Sequence, residues 1–519
     1  MSAGPDLPVD GSAGGSRVRR PPRERSFGAA LGWTVLGALV PGTGFLAAGR
    51  RRLGAVVLTV FLLLVAAGVW LATGGQRLAA RTAVDTDVLL WAIVGIGVLA
   101  LLWVVVVVAG YRMLVPPRTS RGRHVVGGLV VAVLVAAIAA PAAFAGHLAA
   151  TSRDLIAGVF DDDRRSATVT VTDDDAEDDA ELFGGRDRVN VLLLGGDGGE
   201  GREGVRTDTV IVASVDTGTG ETVLISLPRN LQELPFPADS PLGEIYPDGF
   251  DAGSESESLL NAVYRNGPAW YPDALGPTDD PGADFLKLGV GEALGLDIDY
   301  FVLVNLEGFS RLVDALGGIT VNVNYYVPIN GDPGTGELPD DYIAPGPDKH
   351  MDGFTALQFA RGRFGLTDYD RMARQRCTVS AIVDAADPVT LLQRYQRLAA
   401  TTEDIVSTDI PRSVLDDFVD LAFLVKDAEI RSLVLDPPLI DPAYPDYDRI
   451  RQLVQEAIDP PATAPAPAPA DGTDPAADTA PDGEPDPADA VTEVADACAY
   501  DPVRAEEALA EGEPPTKQG

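Results

Sequence analysis

The sequence predicts an α/β domain, of the layered α-β-α type with a mixed central sheet, preceded by an N-terminal transmembrane helical module. Long apolar runs with almost no interior charge fill the first 150 residues. Beyond residue 186, short β-rich runs alternate with helical stretches, and a glycine-rich turn follows the first of those runs. Such an interleaving is typical of domains in which helices pack on a central sheet.

The membrane module is predicted from runs that reach the length of about 20 residues needed to cross a bilayer. A further apolar stretch, residues 28–48, is interrupted by Pro41 and two glycines, so we predict a re-entrant or interfacial segment there. The whole module covers residues 28–148 and follows a basic cytoplasmic tail, residues 1–27. The predicted spans are residues 53–72, 87–109 and 125–147.

Orientation follows from the basic loops, which remain on the cytoplasmic side. Arginines cluster within residues 17–25, 50–52 and 112–123, whereas residues 76–87 are nearly balanced in charge. Three crossings from a cytoplasmic N-terminus would place everything after about residue 148 outside the cell. We therefore predict a multi-pass protein of the cell membrane with an extracellular catalytic domain.

The charge of the exported part excludes one class of partner. The chain has a formal net charge of −37, although its first 150 residues carry 14 basic and 5 acidic side chains. The remainder is thus strongly acidic and is predicted to repel nucleic acid. Residues 149–185, dense in acid and poor in large apolar groups, are predicted to be an extracellular stalk.

The domain itself is assigned to residues 186–385. Alternating and β-branched runs predict its strands, and the turn residues 216–221 predict that two of them form a hairpin. The predicted strands are residues 189–194, 209–215, 222–227, 300–304 and 319–323, and the predicted helices are residues 259–265, 284–294 and 306–316.

Three further segments are predicted after the domain. Residues 386–459 form a helical C-terminal extension, with helices at 388–400 and 411–425 that each begin with proline and an edge strand at 431–435. Residues 460–495, rich in Pro and Ala, form a disordered linker. Residues 496–519 form a docked tail that contains one of the two cysteines.

The cysteines, Cys377 and Cys498, both fall in the exported part. An extracellular location permits a disulfide between them, and two independent thiols are the alternative. Their number and spacing do not suggest a zinc site.

A cluster of arginines between residues 361 and 375 is the main functional signal. The stretch RGRFGLTDYDRMARQ holds four arginines in an acidic chain. Permanently charged guanidinium groups repel one another unless an anion lies between them, so a phosphate or pyrophosphate is the expected ligand. If a helix begins at Asp370, Arg371, Arg374 and Gln375 share one arc of it. The alternative is that these arginines pair with surface carboxylates.

Three other stretches carry candidate residues. Asp197 lies at the apex of a glycine-rich loop after the first strand. Arg206 and Asp208 alternate onto one face at the start of the next strand, and Arg229 follows the second hairpin strand. Each of these signals is, by itself, equally compatible with ordinary surface charges.

Together these motifs resemble the LytR-CpsA-Psr family, whose members are membrane-anchored phosphotransferases that attach glycopolymers to bacterial peptidoglycan. The resemblance covers about residues 186–385. Its markers are the glycine-rich loop with Asp197, the motif Arg206-Thr-Asp208, the Pro-Arg pair at Arg229, the pair Asp352-Gly, and the arginine cluster ending at Gln375.

The resemblance implies a Mg²⁺-dependent transfer from a polyprenyl-pyrophosphate-linked glycan donor to peptidoglycan. Asp197 and Asp208 would hold the metal, and Asp208, Asp368 or Asp370 would serve as the general base. The residues implied to be catalytic are Asp208, Arg361, Arg363 and Asp368, and those implied to bind pyrophosphate are Arg206, Arg229, Arg361, Arg363, Arg371, Arg374 and Gln375.

Three positions depart from the family pattern. Asn230 stands where aspartate is common, Asp370 stands where glycine is frequent, and the usual arginine after the loop aspartate is missing at Gly199. An ion pair that supports Arg229 is therefore either absent or replaced. High Ala, Gly, Pro and Arg with little Lys fits an actinobacterial genome, for which arabinogalactan would be a natural donor glycan.

Two alternatives accompany this reading. A hydrolase could use the same pocket to pass phosphoryl to water as a lipid pyrophosphatase, and a requirement for acceptor glycan would separate it from a ligase. A non-catalytic, membrane-anchored attenuator could instead bind wall precursors. Binding through arginines alone would survive chelation of metal.

Overall fold

The computed structural model describes residues 26–160, 162, 164–168, 182–196, 205–386, 406–460 and 491–517. The chain divides into two compact units, one made of residues 1–70 and 94–146 and the other of residues 71–93 and 147–519. Asp197, the predicted helix at 388–400 and nearly all of the predicted linker lie outside the described residues.

The N-terminal helices agree with the apolar runs of the sequence. The two short helices α1 and α2 are separated by a turn at Gly42, whose φ of 97° favours glycine. Three helices, α3, α5 and α6, are long and apolar enough to cross a membrane, and each contains one predicted span. The bounds are α1 Phe27–Leu39, α2 Thr43–Ala47, α3 Arg51–Thr73, α4 Gln76–Val84, α5 Thr86–Leu114 and α6 Arg121–Val159.

The second unit contains a mixed α/β domain, as the sequence predicts. Its predicted strands and helices are all present, most of them a few residues longer than expected. The strands are β1 Arg188–Gly196, β2 Thr207–Asp216, β3 Thr222–Leu227, β4 Tyr300–Asn305, β5 Ile319–Val323, β6 Val327–Ile329, β7 Asp341–Ile343, β8 Gly346–Met351, β9 Val406–Thr408, β10 Ile430–Val434 and β11 Val491–Glu493.

Helices of this unit connect and cover the strands. Several begin with side-chain caps, for example Asp280 before α9 and Asn305 before α10. The helices are α7 Pro241–Ile245, α8 Leu260–Trp270, α9 Pro281–Leu294, α10 Leu306–Leu316, α11 Gly353–Arg361, α12 Asp368–Ala385, α13 Leu415–Val425, α14 Tyr447–Ile458, α15 Val494–Ala497 and α16 Pro502–Glu511.

Seven strands form the central sheet in the order β11-β10-β3-β2-β1-β4-β9. Strands β1 and β2, and β2 and β3, pair antiparallel, which makes β1 and β3 run in the same direction. Strand β4 is parallel to β1, and β10 is parallel to β3. The carboxyl ends of β1, β3, β4 and β10 therefore lie along one edge of the sheet.

Alternation along the central strands gives the sheet two covered faces. Val212 of β2 and Ile225 of β3 belong to a core formed with α8, α9 and α14, whereas the intervening Ile211 and Leu224 pack with Val494 of α15 on the other face. Side chains of successive strand residues point to opposite faces, so this division confirms the layered α-β-α arrangement. A third core lies among α10, α11, α12 and the two small sheets β5–β8 and β6–β7.

The predicted stalk is only partly a separate segment. Helix α6 continues to Val159, and residues 164–168 bind to the domain. Ser166 donates a hydrogen bond to the buried carboxylate of Asp284 at 2.7 Å, and Arg165 pairs with Asp279. Arginine and hydroxyl groups in this stretch form ion pairs and hydrogen bonds with acidic side chains around the start of α9. These five residues therefore contact the domain and are not a solvated stalk.

The stretch between 386 and 459, expected as a helical extension, contributes to the same domain. Strand β9 pairs with β4, and Ile450 and Leu453 of α14 lie in the main core. Strand β10, predicted to lie at the edge, is interior because β11 of the tail pairs antiparallel with it. The described part of the tail begins at residue 491, so β11 precedes the predicted boundary at residue 496.

The tail is also attached covalently. Cys377 of α12 and Cys498 form a disulfide with 5.6 Å between their Cα atoms. The described tail thus joins both the sheet, through β11, and helix α12.

Candidate active site

The candidate residues meet at the sheet edge formed by the carboxyl ends of β1, β3 and β4. Arg229 lies two residues after β3, and Asp208 lies at the start of β2, which begins at this edge because it runs antiparallel to its neighbours. Ligands in open α/β sheets commonly bind outside the carboxyl ends of the strands. The topology thus brings together two stretches that are about 20 residues apart in the sequence.

Helices α11 and α12 supply the arginine cluster. Helix α11 ends at Arg361, and α12 begins at Asp368, two residues earlier than predicted. The reason is a capping box: the Thr367 hydroxyl accepts from the amide of Asp370, and the Asp370 carboxylate accepts from the amide of Thr367. Asp370 is therefore the third residue of the helix, and its carboxylate stabilises the helix start.

One carboxylate, that of Asp368, lies among three arginines. Its Oδ2 accepts from Arg371 Nη2 at 3.0 Å, while its Oδ1 is 3.4 Å from Arg229 Nε and 3.8 Å from Arg363 Nη1. Asp208 holds Arg229 from the other side, at 2.9 Å. Arg229, next to Asn230 in the sequence, therefore pairs with two carboxylates.

Burial and charge shape the titration of this cluster. Arg371 is only 4% exposed, and burial lowers its pKa to about 10, so it remains charged at neutral pH. Burial pulls the pKa of Asp208 upward, but the hydrogen bond and charge of Arg229, with a hydrogen bond from Asn261, hold it below its ordinary value. Both groups are therefore ionised in the working range of pH.

Arg371 also offers an unused donor. Its buried Nε has no hydrogen-bond partner among the described residues. An unsatisfied buried donor is costly, and a phosphate oxygen would satisfy it. The Arg371 Nε is thus a buried donor that a bound anion could use.

A cavity of about 310 Å³ opens beside the cluster. Its polar part is formed by Asp208, Arg361, Arg363, Arg371 and Gln375. Its apolar part lies between the sheet and the helices, and its lining includes Leu193, Ile211, Val302, Val304, Phe309, Leu312, Leu357, Val379, Ile382 and Val383.

The cavity follows one face of α12. Arg371, Gln375, Val379 and Ile382 line it and recur at helical spacing, and Val383 ends the series. At a rise of 1.5 Å per residue, the distance from Arg371 to Val383 along the helix is about 18 Å. One helix thus leads from a cationic end to an apolar end of the same cavity. Met372, next to Arg371 in the sequence, is buried and does not line the cavity.

The other predicted ligands differ in their placement. Gln375 donates to the Thr209 hydroxyl at 2.7 Å and lines the cavity. Arg206 pairs with Glu257 at 2.7 Å and is not among the lining residues. Arg374 is buried away from the cavity, where its guanidinium donates to the carbonyl oxygens of Phe359 and Gly362.

Two contributors were not anticipated from the sequence. The Asn261 side chain donates to Asp208 at 3.1 Å, and its backbone amide donates to the carbonyl of Arg229 at 3.0 Å. The Glu257 carboxylate forms ion pairs with both Arg206 and Arg265. These residues lie in or beside the start of α8, and no local pattern distinguishes them from other polar helix residues.

The residues present fit a magnesium ion of the kind the resemblance implies. Among the described residues, no group of three His, Cys, Asp or Glu side chains could hold a metal. Mg²⁺, however, takes one or two carboxylates and completes its shell with water and phosphate oxygens. Asp208 and Asp368 both contact Arg229, and Asp368 Oδ1 is buried without a hydrogen-bond partner in the described part of the chain.

The fold and the site together define an α-β-α protein with an arginine-rich cavity at the carboxyl edge of its sheet. The model of the LytR_cpsA_psr family matches residues 159–437. This match covers more than half of the chain, and the protein belongs to that family.

Curated relatives agree with this assignment. The polyisoprenyl-teichoic acid–peptidoglycan teichoic acid transferase TagU of Enterococcus faecalis is 29% identical over 231 residues, which are 43% of this chain and 62% of the relative. Biofilm regulatory protein A of Streptococcus mutans is 28% identical over 227 residues, 43% of this chain and 50% of the relative. The chain thus matches between half and two thirds of the length of these relatives.

Solved structures include similar chains. Bacillus subtilis TagU shares 21% identity and matches 54% of this chain and 100% of its own, with a TM-score of 0.35. Bacillus subtilis TagV shares 22% identity and matches 52% of this chain and 96% of its own, with a TM-score of 0.36. These TM-scores are too low to support an argument.

Proposed function

We propose that this protein is a cell-wall glycopolymer ligase. It would transfer a glycan phosphate from a polyprenyl-pyrophosphate carrier to a sugar hydroxyl of peptidoglycan. The observation that supports this best is the single cavity lined both by Arg361, Arg363 and Arg371 and by a long apolar wall. A polyprenyl-pyrophosphate substrate likewise has a charged part, the pyrophosphate, next to a long apolar part, the polyprenyl chain.

The arginines would neutralise the pyrophosphate and fix its orientation. Phosphoryl transfer depends mainly on positioning and on stabilisation of charge at the phosphoryl oxygens. Arg361, Arg363 and Arg371 present planar donor groups suited to these oxygens. Arg374 acts from outside the cavity and would position its neighbours, while Arg206 would approach the ligand from the Glu257 side.

The reaction balances without any covalent bond to the protein. The acceptor hydroxyl oxygen forms a bond to the glycan-side phosphorus, the bond from that phosphorus to the bridging oxygen breaks, and polyprenyl phosphate leaves. The hydroxyl proton passes to a base. Asp208 and Asp368 are the candidates because they lie within the arginine cluster, whereas the Asp370 carboxylate caps α12 and pairs with Arg504 of the tail.

Magnesium would be held by Asp208 and Asp368, with Asp197 of the glycine-rich loop as the third candidate. When bound, Mg²⁺ neutralises charge on the phosphate oxygens. The carboxylates of Asp208 and Asp368 would then serve two purposes in this chain, since they also orient Arg229 and Arg371.

The location follows from the same proposal. Helices α3, α5 and α6 would cross the cell membrane, and the basic loops would remain in the cytoplasm. The α/β domain would then face the cell wall, where its proposed donor and acceptor meet. The donor polymer is proposed to be arabinogalactan on composition alone.

Arginine substitution tests the proposal in the full-length protein in detergent micelles. Transfer of glycan from a short-chain polyprenyl-pyrophosphate sugar to peptidoglycan fragments, with Mg²⁺ present, is followed by mass spectrometry. Arg361→Ala and Arg363→Ala are expected to reduce transfer at least about 100-fold while the melting temperature is retained.

A matched control is Arg311→Ala. Arg311 is exposed on α10 and forms an ion pair with Glu307 one helical turn away. It is expected to leave transfer within about twofold of wild type, because exposed ion pairs contribute little. Retained transfer in both cavity variants would refute the ligase, and transfer to water alone would favour the hydrolase.

A further inference from the structure

The C-terminal tail reaches the arginine cluster through a short series of side-chain contacts. Asn322 donates to the carbonyl oxygen of Cys498 at 3.0 Å, and Asn324 donates to that of Ala499 at 3.1 Å. The Asp501 amide donates back to Asn324 at 2.9 Å, and Asp501 then caps α16. Just before Arg504, the tail is therefore fixed against the end of β5 and the residue that follows it.

Arg504 makes two contacts from this anchored position. Its guanidinium carbon lies 4.3 Å from the centre of the Tyr325 ring, a cation–π geometry. Its Nη2 lies 3.4 Å from Asp370 Oδ1, so it also pairs with the residue that caps α12. Asp370, an unusual residue at this position, thus has a partner that is supplied by the tail.

Tyr325, which Arg504 contacts, in turn binds Arg374. The Tyr325 hydroxyl accepts from Arg374 Nη1 at 2.9 Å, and the remaining donors of Arg374 bind the carbonyl oxygens of Phe359, at 2.7 Å, and Gly362. Arg374 is 4% exposed, so loss of one acceptor would leave a buried charged donor unsatisfied.

These two carbonyl groups belong to Phe359 and Gly362, which lie on either side of Arg361 in the sequence. Arg363 directly follows Gly362. The backbone that carries both cavity arginines is therefore held by Arg374. Gly362 itself has no room for a side chain, since a Cβ there would lie 2.6 Å from the carbonyl oxygen of Pro328. The segment is closely packed, and a shift of Arg374 would displace it.

We propose that Tyr325 and Arg504 are positioning residues for the arginine cluster, acting through Arg374. The tail thereby sets the affinity of Arg361 and Arg363 for the pyrophosphate group. This role rests on the proposed function, because it concerns the same anion site. Neither residue lines the cavity, and neither is required to touch the substrate.

The test uses inorganic pyrophosphate as the probe, with the full-length protein in micelles and binding measured by calorimetry. Tyr325→Phe removes only the acceptor for Arg374, and Arg504→Ala removes the cation above the ring. Each is expected to weaken pyrophosphate binding by about three- to tenfold, the effect of losing one supporting interaction. Arg504→Lys, which keeps a cation, is expected to restore part of the loss.

The matched control is Lys517→Ala. Lys517 is also a tail residue and forms an exposed ion pair with Glu337, but it contacts neither Tyr325 nor Asp370 in the described structure. It is expected to bind pyrophosphate within about twofold of wild type. Melting temperatures of all variants exclude global unfolding as the cause.

A double variant distinguishes a connected path from separate effects. If Arg504 acts through Tyr325 and Arg374, Arg504→Ala should add little to the loss already present in Tyr325→Phe. Fully multiplicative losses, or wild-type affinity in both single variants, would overturn the proposal.

This outcome is separable from that of the proposed function. Wild-type pyrophosphate binding that is lost in Arg361→Ala shows that the probe occupies the arginine cluster. Such binding without glycan transfer would refute the ligase while leaving the positioning role standing. Absence of pyrophosphate binding in the wild type would refute the positioning role.

Discussion

Asp368 and Arg371 form an ion pair across the first turn of α12, with 3.0 Å between Oδ2 and Nη2. Arg371 is almost completely buried, and the opposite oxygen of Asp368 faces Arg229 and Arg363. One carboxylate therefore fixes the relative positions of three cations that would otherwise repel one another. The site holds its positive charge in place before any anion arrives.

Replacing this carboxylate should impair turnover more than folding. We expect Asp368→Asn to lower kcat by about 10²- to 10³-fold, because a neutral amide cannot balance three guanidinium groups. Steady-state transfer assays measure the effect. Asp448→Asn is the matched control, since Asp448 forms the same i,i+3 pair with Arg451 on the solvent-exposed side of α14. Equal kcat values in both variants would contradict the role given to Asp368.

The apolar wall of the cavity predicts a dependence on the length of the lipid. Val379→Trp should fill the apolar part of the cavity between α12 and the sheet. Donors with long polyprenyl chains should therefore lose activity about tenfold or more, while the shortest donors lose less. Competition between donors of different length measures this preference. Tyr444→Trp, at an 83% exposed position, is the control. An unchanged length preference in Val379→Trp would show that the lipid binds elsewhere.

The ion pair of Asp208 predicts a pH dependence of stability. The folded pKa lies below the ordinary value, so the ionised carboxylate stabilises the folded state above its unfolded pKa of about 3.9. That stability is lost as the pH falls through the lower, folded pKa. The melting temperature of the wild type should therefore exceed that of Asp208→Asn at pH 6. The difference between the two melting temperatures should narrow below pH about 4. A difference that widens in acid would contradict the assignment.

A buried ion pair that does not line the cavity predicts a stability effect without a catalytic one. Lys287 donates to Asp409 at 2.6 Å, both side chains are at most 2% exposed, and Asp409 also accepts from the amide of Phe301. Lys287→Met leaves an uncompensated charge and should cost about 3–5 kcal/mol. The double variant Lys287→Met/Asp409→Leu should cost less than the single one. Denaturant unfolding measures both, and a larger cost for the double variant would refute this reading.

Much of the domain could be predicted from local patterns. β-branched and apolar runs bounded by turn residues located β1 to β5, and helical stretches were located at α9 and α10, although α9 begins three residues earlier than predicted. The pairing of β10 with β11 could not be predicted, because it joins segments separated by a long Pro/Ala-rich stretch. No short-range sequence pattern indicates which distant strand will pair with the edge strand of a sheet.

The same limit applies to the cluster on α12. Helical spacing placed Arg371, Arg374 and Gln375 on one arc, but the cavity receives only Arg371 and Gln375 of the three. Arg374 lies on the side of the helix that packs against α11, where backbone carbonyls accept its donors. Periodicity gives the angles between side chains around the helix axis. Tertiary packing decides which of these side chains face the ligand.

Asp370 illustrates a residue with a local and a distant role. Its capping interaction with Thr367 could have been read from the Thr-x-x-Asp spacing. Its ion pair with Arg504 joins residues more than a hundred positions apart, and no local pattern indicates that contact. The departure from the family pattern at this position thus has a structural partner.

The measurement that tests the account most directly is the stoichiometry of polyprenyl phosphate release and glycan attachment by the full-length protein with Mg²⁺. Mass spectrometry would count both products with and without peptidoglycan fragments. We predict one glycan attached for each polyprenyl phosphate released, and release that depends on the acceptor. Release at the same rate without acceptor, or no release at all, would contradict the ligase.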